Sequence, residues 1–237
     1  MIEIATGMAL AAGLGTRMRP LTLETPKALV PVGGKPLLDH VLDRFAAAGV
    51  TQAVVNIHHF AGQMRDHLAA RTGPPDITIS DESDLVLETG GGLVKARPLL
   101  GEKPVLLSNI DAIWRETGTP ELERLKAGWD GDRMDALLLL ARREATLGYH
   151  GEGDFWLEAD GQVRRRGAAS TAPLVYAGTQ ILNPAVIDGY PLEPFSLNRI
   201  WDDLLARGRV HGCVMEAFWM HVGDPQARDA AEARLTG

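Results

Sequence analysis

The segment Leu10-Ala-Ala-Gly-Leu-Gly-Thr16, followed by Arg17 and Arg19, places two glycines and two arginines directly after the first apolar run of the chain. In an open α/β sheet, ligands bind at the carboxyl ends of the strands, which is where such a loop would lie. Glycines let backbone N–H groups approach phosphate oxygens closely, and arginines add fixed charge and paired donors. The segment therefore predicts a phosphate-binding loop at the edge of a parallel sheet.

This loop differs from the two commonest glycine-rich phosphate loops. A dinucleotide-binding fingerprint needs a third glycine, whereas Gly13-Leu-Gly15 is followed by Thr16, Arg17 and Met18, so a methionine stands in the place of that glycine. Pro20 then comes too early for a long helix to begin in the loop. The lysine motif of a Walker loop is absent as well. A tight turn between a strand and a helix is the alternative that these residues leave open.

Beyond the loop, short apolar runs rich in branched residues alternate with segments of helical period. This alternation is typical of a mixed, mainly parallel sheet flanked by helices, an α/β fold. The runs predict strands over 8–12, 52–57, 77–80, 105–109, 136–141 and 175–182. Helices are expected over 38–45, 62–71, 91–96, 120–127, 197–207 and 225–235. The polar, glycine-containing residues 148–171 predict a small hairpin insertion.

Length and composition restrict the class of protein. A chain of 237 residues is expected to form one domain. A formal net charge of -7 opposes general binding to nucleic acid or to an anionic membrane, so a phosphate site must be locally positive. The single cysteine, Cys213, excludes an internal disulfide and a cysteine-based zinc site. With no signal peptide and no apolar run of transmembrane length, we expect a soluble cytoplasmic protein.

A second segment, Thr25-Pro-Lys-Ala-Leu-Val-Pro-Val32, holds Lys27 between two prolines and precedes Gly33-Gly34-Lys35-Pro36. Prolines restrict the backbone, so Lys27 can be held in one position at low entropic cost. This favours a lysine that meets a phosphate. A surface loop with solvated lysines is the alternative.

Together, Leu10-Ala-Ala-Gly-Leu-Gly-Thr-Arg-Met-Arg-Pro-Leu-Thr22, the Lys27 segment and Gly34-Lys-Pro-Leu37 resemble the sugar-1-phosphate nucleotidyltransferases, over nearly the whole chain. The resemblance implies a single Rossmann-like nucleotidyltransferase domain, 1–237, with a nucleotide half over about 1–112 and a sugar half over about 113–237. It also implies Mg²⁺ and transfer of a nucleoside monophosphate from a triphosphate to a sugar 1-phosphate, with release of pyrophosphate.

Within this family, the chain length and Leu87-Glu-Thr-Gly-Gly-Gly92 are most similar to the bacterial N-acetylmuramate 1-phosphate uridylyltransferases of cell-wall recycling. This similarity favours UTP and N-acetylmuramate 1-phosphate as substrates. Mannose-1-phosphate guanylyltransferases come second, and the residues alone do not decide between uracil and guanine or name the sugar. The only partners expected are the two substrates, with the protein acting as a monomer or small homo-oligomer.

Several residues acquire expected roles from the resemblance. Arg17 and Lys27 are the expected catalytic cations. The nucleotide is expected to contact Ala11, Ala12, Gly13, Gly15, Thr16, Glu88, Gly91 and Asn109. The glycine segment 87–92 would lie flat along the nucleobase, with backbone groups facing its edge. A glycine turn that merely caps a helix is the alternative.

Asp111 ends an apolar strand at the sheet edge, where it is expected to bind magnesium, although a helix N-cap would also suit an aspartate. The family usually carries Trp-x-Asp-x-Gly-Thr near its C-terminus, but this chain reads Trp219-Met-His-Val-Gly-Asp224. His221 thus replaces a carboxylate, and imidazole is a softer ligand than magnesium prefers. His221 can bond a metal-bound water or phosphate, Asp224 can supply the carboxylate, or the ion can rely on Asp111 and phosphates. A buried histidine with a packing role is the remaining alternative.

For the sugar, the resemblance implies contacts by Gly178, in the strand Tyr176-Ala-Gly-Thr-Gln180, and by Asp154 in the hairpin. Arg164-Arg-Arg166 can attract the sugar phosphate or form a solvated strand face. Two other functions stay open: a nucleotide-sugar sensor that lost catalysis at His221, and a transferase that uses cytidine triphosphate and an acceptor such as choline phosphate.

Overall fold

The apolar runs form a mixed sheet in the computed structural model, which describes residues 2–236. The strands are β1 (Thr6–Leu10), β2 (Pro31–Val32), β3 (Lys35–Pro36), β4 (Gln52–Ile57), β5 (Asp76–Asp81), β6 (Val105–Asn109), β7 (Ala112–Arg115), β8 (Ala136–Arg142), β9 (Thr146–Leu147), β10 (Phe155–Leu157), β11 (Val163–Arg165), β12 (Leu174–Leu182), β13 (Val210–Val214) and β14 (Phe218–His221). The α-helices are α1 (Leu37–Ala47), α2 (Ala61–Ala70), α3 (Glu88–Leu100), α4 (Glu121–Gly128), α5 (Asn198–Ala206) and α6 (Pro225–Thr236).

The main sheet runs in the order β11-β10-β12-β6-β1-β4-β5, with β8 also paired to β12 and β13 paired to β8. β1, β4, β5 and β6 are parallel, and β12 runs antiparallel to both β6 and β8. The carboxyl ends of β1, β4, β6 and β8 therefore lie at one edge of the sheet. We call this edge the ligand edge, because open α/β sheets bind ligands there. The expectation of a Rossmann-like, mainly parallel sheet with flanking helices is confirmed.

Helices cover the sheet because alternate strand residues are buried on opposite faces. Ala53 and Val55 join an apolar cluster that includes α1, whereas Val54 joins a cluster with α3 and α5. α1 approaches β1 so closely that a Cβ on Gly7 would lie 2.7 Å from the Phe45 ring. Within residues 2–236, no helix combines the length and apolarity that crossing a membrane requires.

Most predicted elements are present with small shifts at their ends. The strands expected over 52–57 and 105–109 match β4 and β6. β1 ends at Leu10 rather than at residue 12, because the N–H of Ala11 donates to the Asn56 side chain. α3 begins at Glu88, three residues before the predicted start at 91, so the glycine segment belongs to the helix rather than to a turn before it.

The hairpin insertion is confirmed. β10 and β11 pair antiparallel, and Phe155 at the start of β10 pairs with Leu174 at the start of β12. A separate small sheet in the order β7-β14-β9 places His221 opposite Ala112, next to the end of β6. Residues far apart in sequence thus meet at the ligand edge.

Candidate active site

A cavity of about 420 Å³ opens at the ligand edge, beside the carboxyl ends of β1, β4 and β6. Ten residues expected to act on the nucleotide, metal or reaction line it: Ala11, Ala12, Gly13, Gly15, Thr16, Arg17, Lys27, Glu88, Asn109 and Asp111. Asn56, Glu82, Thr89 and Gly223 also line this cavity. The glycine loop, the lysine segment and the end of β6 therefore converge on one site.

The glycine loop is fixed at both ends. At its start, Ala11 N donates to Asn56 Oδ1 at 2.6 Å, and at its end the Thr22 hydroxyl donates to the carbonyl of Gly15 at 2.8 Å. Gly15 has a φ of 64°, a left-handed conformation, and a Cβ there would lie 2.9 Å from the Cβ of Lys27. A Cβ on Gly13, by contrast, would meet nothing within 4 Å. The loop is thus held rigidly while its middle faces open space.

Asn56 and Glu82 are site residues that sequence reasoning missed. Asn56 Nδ2 donates to Glu82 Oε1 at 2.8 Å, and both residues are buried, with Glu82 only 1% exposed. Burial raises the pKa of the Glu82 carboxyl. Gly92 makes room for this pair, since a Cβ there would lie 2.8 Å from Glu82 Oε1. The polar Asn56 inside an otherwise apolar strand was the signal that could have found it.

The glycines at the start of α3 pack against the chain rather than along the cavity. The N–H groups of Gly90 and Gly91 donate to the carbonyl of Phe195 at 2.8 and 3.3 Å. A Cβ on Gly91 would lie 2.2 Å from the carbonyl oxygen of Glu193. Gly91 therefore does not line the cavity, and its contact with a nucleotide stays a prediction. Glu88 does line the cavity and has a φ of 56°, a strained conformation for a residue with a side chain.

Lys27 and Asp111 form the charged centre of the cavity. Lys27 Nζ lies 2.6 Å from Asp111 Oδ2, and the side chains are 11% and 18% exposed. Although burial alone would raise the pKa of the Asp111 carboxyl, the Lys27 ammonium and the His221 ring hold it well below its ordinary value. β7 follows Asp111 directly, so Asp111 caps no helix. Asp111 therefore stays an anion aimed at the site.

His221 lies beside this ion pair. Its Nε2 is 3.4 Å from Asp111 Oδ2, and its Nδ1 is 3.2 Å from the carbonyl oxygen of Gly148. The ring stacks on Trp219, with centroids 5.8 Å apart, and a Cβ on Gly223 would lie 2.7 Å from the ring. Asp224 accepts from Ala227 N at 2.8 Å at the start of α6, as a helix cap does. His221, rather than Asp224, thus neighbours Asp111.

The expected sugar residues do not line the cavity, although Gly178 lies against Asn109, which does. Gly178 has a φ of 81° at an irregularity in β12, and a Cβ there would lie 3.0 Å from the Cβ of Ala112. Asp154 accepts from Tyr176 N at 2.9 Å and from the Tyr149 hydroxyl at 3.4 Å, which ties the hairpin to β12. The contacts of Gly178 and Asp154 with a sugar stay predictions.

A glycine loop, a lysine and a carboxylate thus meet at the ligand edge of an open α/β sheet, the place where such folds bind their ligands. Residues 6–126 match the family model described as nucleotidyl transferase, and the chain belongs to this family.

Similar proteins with established names agree with this assignment. The chain is 54% identical over 231 residues to an N-acetylmuramate alpha-1-phosphate uridylyltransferase of Caulobacter vibrioides, covering 96% of each chain. It is 34% identical to a protein of the same name from Neisseria meningitidis, covering 91% of this chain and 92% of that one. It is 30% identical to a mannose-1-phosphate guanyltransferase of Hypocrea jecorina, covering 93% of this chain but 61% of that one.

Solved structures share the fold at low identity. HddC from Yersinia pseudotuberculosis, complexed with GMP-PN, matches with a TM-score of 0.78 at 21% identity, covering 98% of this chain and 99% of that one. A UDP-glucose pyrophosphorylase complexed with UDP-glucose matches with a TM-score of 0.79 at 16% identity, covering 99% of each chain.

Proposed function

We propose that the protein transfers a uridylyl group from UTP to N-acetylmuramate 1-phosphate, producing UDP-N-acetylmuramate and pyrophosphate. The observation that carries this proposal is the 54% identity to the Caulobacter relative over nearly the full length of both chains. The Lys27–Asp111 pair in the cavity supports it, because phosphoryl chemistry needs charge control more than covalent help.

In the proposed reaction, the triphosphate lies along the glycine loop. Backbone N–H groups of the loop bind phosphate oxygens, and Arg17 and Lys27 balance the charge that grows on the pyrophosphate. An oxygen of the sugar phosphate attacks the α-phosphorus, a new P–O bond forms, and the bond to the β-phosphate oxygen breaks. The attacking oxygen is already anionic, so this chain needs to supply orientation rather than a general base.

The donor set fits a magnesium ion that shares its ligands with the substrates. Within residues 2–236 there is no group of three acidic, histidine or cysteine side chains that could hold a metal. Mg²⁺ is nevertheless often held by one or two carboxylates together with substrate phosphates and water. We propose that Asp111 holds the ion, which would neutralise phosphate charge when bound.

We assign His221 the task of a hydrogen-bonding neighbour rather than a metal ligand. If Nδ1–H donates to the carbonyl of Gly148, the Nε2 atom faces the Asp111 side of the cavity. In this tautomer Nε2 is an acceptor, so it can accept a hydrogen bond from a metal-bound water. His221 would thus orient a water molecule beside Asp111, while the Asp111 carboxylate holds the ion.

The second candidate is guanylyl transfer to mannose 1-phosphate, which the 30% identity to the Hypocrea protein favours. That relative is less similar, and this chain spans 61% of its length. Because UTP is a cytoplasmic metabolite, the proposed function implies a cytoplasmic location. All residues assigned above belong to one chain, which is compatible with a monomer or a small homo-oligomer.

The test is a matrix of pyrophosphate release with UTP, GTP, CTP and ATP against the 1-phosphates of N-acetylmuramate, N-acetylglucosamine, mannose and glucose. We expect the highest kcat/KM for UTP with N-acetylmuramate 1-phosphate, dependent on Mg²⁺, and loss of turnover in Lys27→Ala. A maximum at GTP with mannose 1-phosphate would replace the proposal by the second candidate. Binding without turnover for every pair would favour the sensor.

A further inference from the structure

The base of the β10–β11 hairpin borders the ligand edge. β12 starts at this edge because it runs antiparallel to β6, and Phe155 pairs with its first residue, Leu174. Asp154, one residue earlier, binds Tyr176 N. The hairpin base therefore lies at the same edge of the sheet as Asp111, which follows β6.

The three consecutive arginines of this hairpin differ in their partners. Arg164 pairs with Glu158 at 3.1 Å, and Arg165 pairs with Asp202 at 2.8 Å. Arg166 has no carboxylate within 4.0 Å among residues 2–236. Within the same described residues, its side chain makes one hydrogen bond, from Nη1 to the carbonyl of Ser170 at 3.2 Å. A guanidinium has five N–H donors, so most of those on Arg166 are available to a ligand.

The backbone of Arg166 is held at the base of the hairpin. Its N–H donates to the carbonyl of Asp154 at 2.8 Å, and the residue is half-buried. Burial and Asp154 raise the pKa of the Tyr149 hydroxyl, while the guanidinium of Arg166 acts on it in the opposite direction. The Asp154 carboxylate is occupied by Tyr176 N and by Tyr149. The guanidinium thus lies near the polar groups of the hairpin base without being neutralised by them.

The proposed acceptor carries a group that the Arg166 guanidinium could bind. N-acetylmuramate differs from N-acetylglucosamine by a lactyl ether that ends in a carboxylate, and mannose and glucose lack it as well. In a chain with a net charge of -7, a second anionic group on the acceptor needs a local positive partner. Arginine binds a carboxylate with two parallel hydrogen bonds, which gives direction as well as charge.

We propose that Arg166 binds the carboxylate of the acceptor's lactyl group and is the residue that selects N-acetylmuramate 1-phosphate over other hexose 1-phosphates. This inference rests on the proposed function. It assigns Arg166 to substrate selection rather than to attraction of the sugar phosphate.

The test compares kcat and KM for N-acetylmuramate 1-phosphate and N-acetylglucosamine 1-phosphate in four proteins. These are the wild type, Arg166→Gln, Arg166→Lys and the control Arg164→Gln, which removes a neighbouring, exposed charge paired with Glu158. We expect Arg166→Gln to raise KM for the muramate substrate about 10- to 100-fold, with kcat and the glucosamine substrate nearly unaffected. Arg166→Lys should give an intermediate KM for the muramate substrate, because lysine keeps the positive charge but loses the two parallel N–H donors of the guanidinium. Arg164→Gln should match the wild type.

Equal losses on both sugars in Arg166→Gln, or the same selective loss in Arg164→Gln, would overturn the assignment. Arg142→Gln adds a positional control, because Arg142 ends β8 at the same edge and is also without a carboxylate partner in the described part of the chain. A selective loss in Arg142→Gln alone would move the carboxylate site there. If the wild type does not prefer the muramate substrate, the proposed function itself is contradicted. The substrate preference of the wild type is therefore measured first, before any variant is compared with it.

Discussion

Lys27 and Asp111, 84 residues apart in sequence, meet with Nζ 2.6 Å from Oδ2 inside the candidate active site. Each charge is largely shielded from water, so each depends on the other. The pair links the proline-bounded segment before β2 to the end of β6, two parts of the chain that the phosphate chemistry needs side by side.

The first prediction concerns this pair. Lys27→Met and Asp111→Asn should each lower kcat by two or more orders of magnitude, in line with the roughly 100- to 1,000-fold effect of losing a preorganised charge. Each should also reduce the free energy of unfolding by about 1–3 kcal/mol, because it leaves one partly buried charge unpaired. The double variant should regain part of that stability and none of the activity, as measured by urea unfolding and pyrophosphate release. Additive stability losses would contradict mutual dependence.

The second prediction concerns His221. If Nε2 accepts a hydrogen bond from a metal-bound water, His221→Ala should lower kcat about tenfold, the effect of losing one hydrogen bond to a water polarised by the ion. His221→Asp should retain more activity, because a carboxylate can also accept a hydrogen bond beside Asp111. Melting temperatures of both variants serve as the control for folding. Equal losses in the two variants would instead indicate that the ring matters through its packing on Trp219.

The third prediction tests the support of the glycine loop. Asn56→Ala leaves the buried N–H of Ala11 without its acceptor, which costs about 1–3 kcal/mol of stability. Because the loop loses its fixed start, KM for the nucleotide should rise while KM for the sugar changes little. Glu82→Gln is the matched control, since its amide oxygen can still accept from Asn56 Nδ2. An unchanged nucleotide KM in Asn56→Ala would exclude this support role.

The fourth prediction is a pH dependence. The folded state raises the pKa of Glu82 above its ordinary 4.5, so the folded protein holds this proton to a higher pH than the unfolded chain does. The group therefore favours folding below pH 4.5, and that contribution is lost as the pH rises through the folded pKa. Glu82→Gln should remove this loss of stability with rising pH, because glutamine does not titrate. Urea unfolding of both proteins from pH 4.5 upward should show a stability difference that grows in favour of the variant, and parallel curves would contradict the shift.

The fifth prediction distinguishes Gly13 from Gly91, two glycines for which the sequence predicts the same role, a contact with the nucleotide. Gly91→Ala places a methyl group 2.2 Å from the Glu193 carbonyl oxygen, so the packing of α3 must open and the melting temperature should fall markedly. Gly13→Ala meets nothing within 4 Å, so it should melt like the wild type while its methyl group weakens nucleotide binding. The measurements are thermal melting and nucleotide KM. A stable Gly91→Ala protein with poor nucleotide binding would restore the nucleobase role expected from the sequence.

Many of the residues that line the cavity could be predicted from the local sequence. The loop residues Ala11 to Arg17, Lys27 and Asp111 each follow a strand or lie between prolines, and such features are visible without knowing the fold. Asn56 and Glu82 were missed because their contacts depend on the parallel pairing of β1, β4 and β5, whose register no local pattern gives. The packing of Gly91 against another segment was not predictable for a related reason. Its partner, the segment 193–195, lies about one hundred residues away, and a glycine run shows only that something comes close.

The contact between the start of α3 and Phe195 has a consequence for how the chain can be divided. Phe195 lies in the part of the chain expected to bind the sugar, yet its carbonyl accepts from the N–H groups of Gly90 and Gly91, which begin a helix in the part expected to bind the nucleotide. β12 likewise covers an edge of β6. A fragment that stopped near residue 112 would leave these backbone donors and the edge of β6 without partners. We therefore infer that residues 1–112 do not form an independently stable unit, and that fusions or splits must keep the two parts of the chain together.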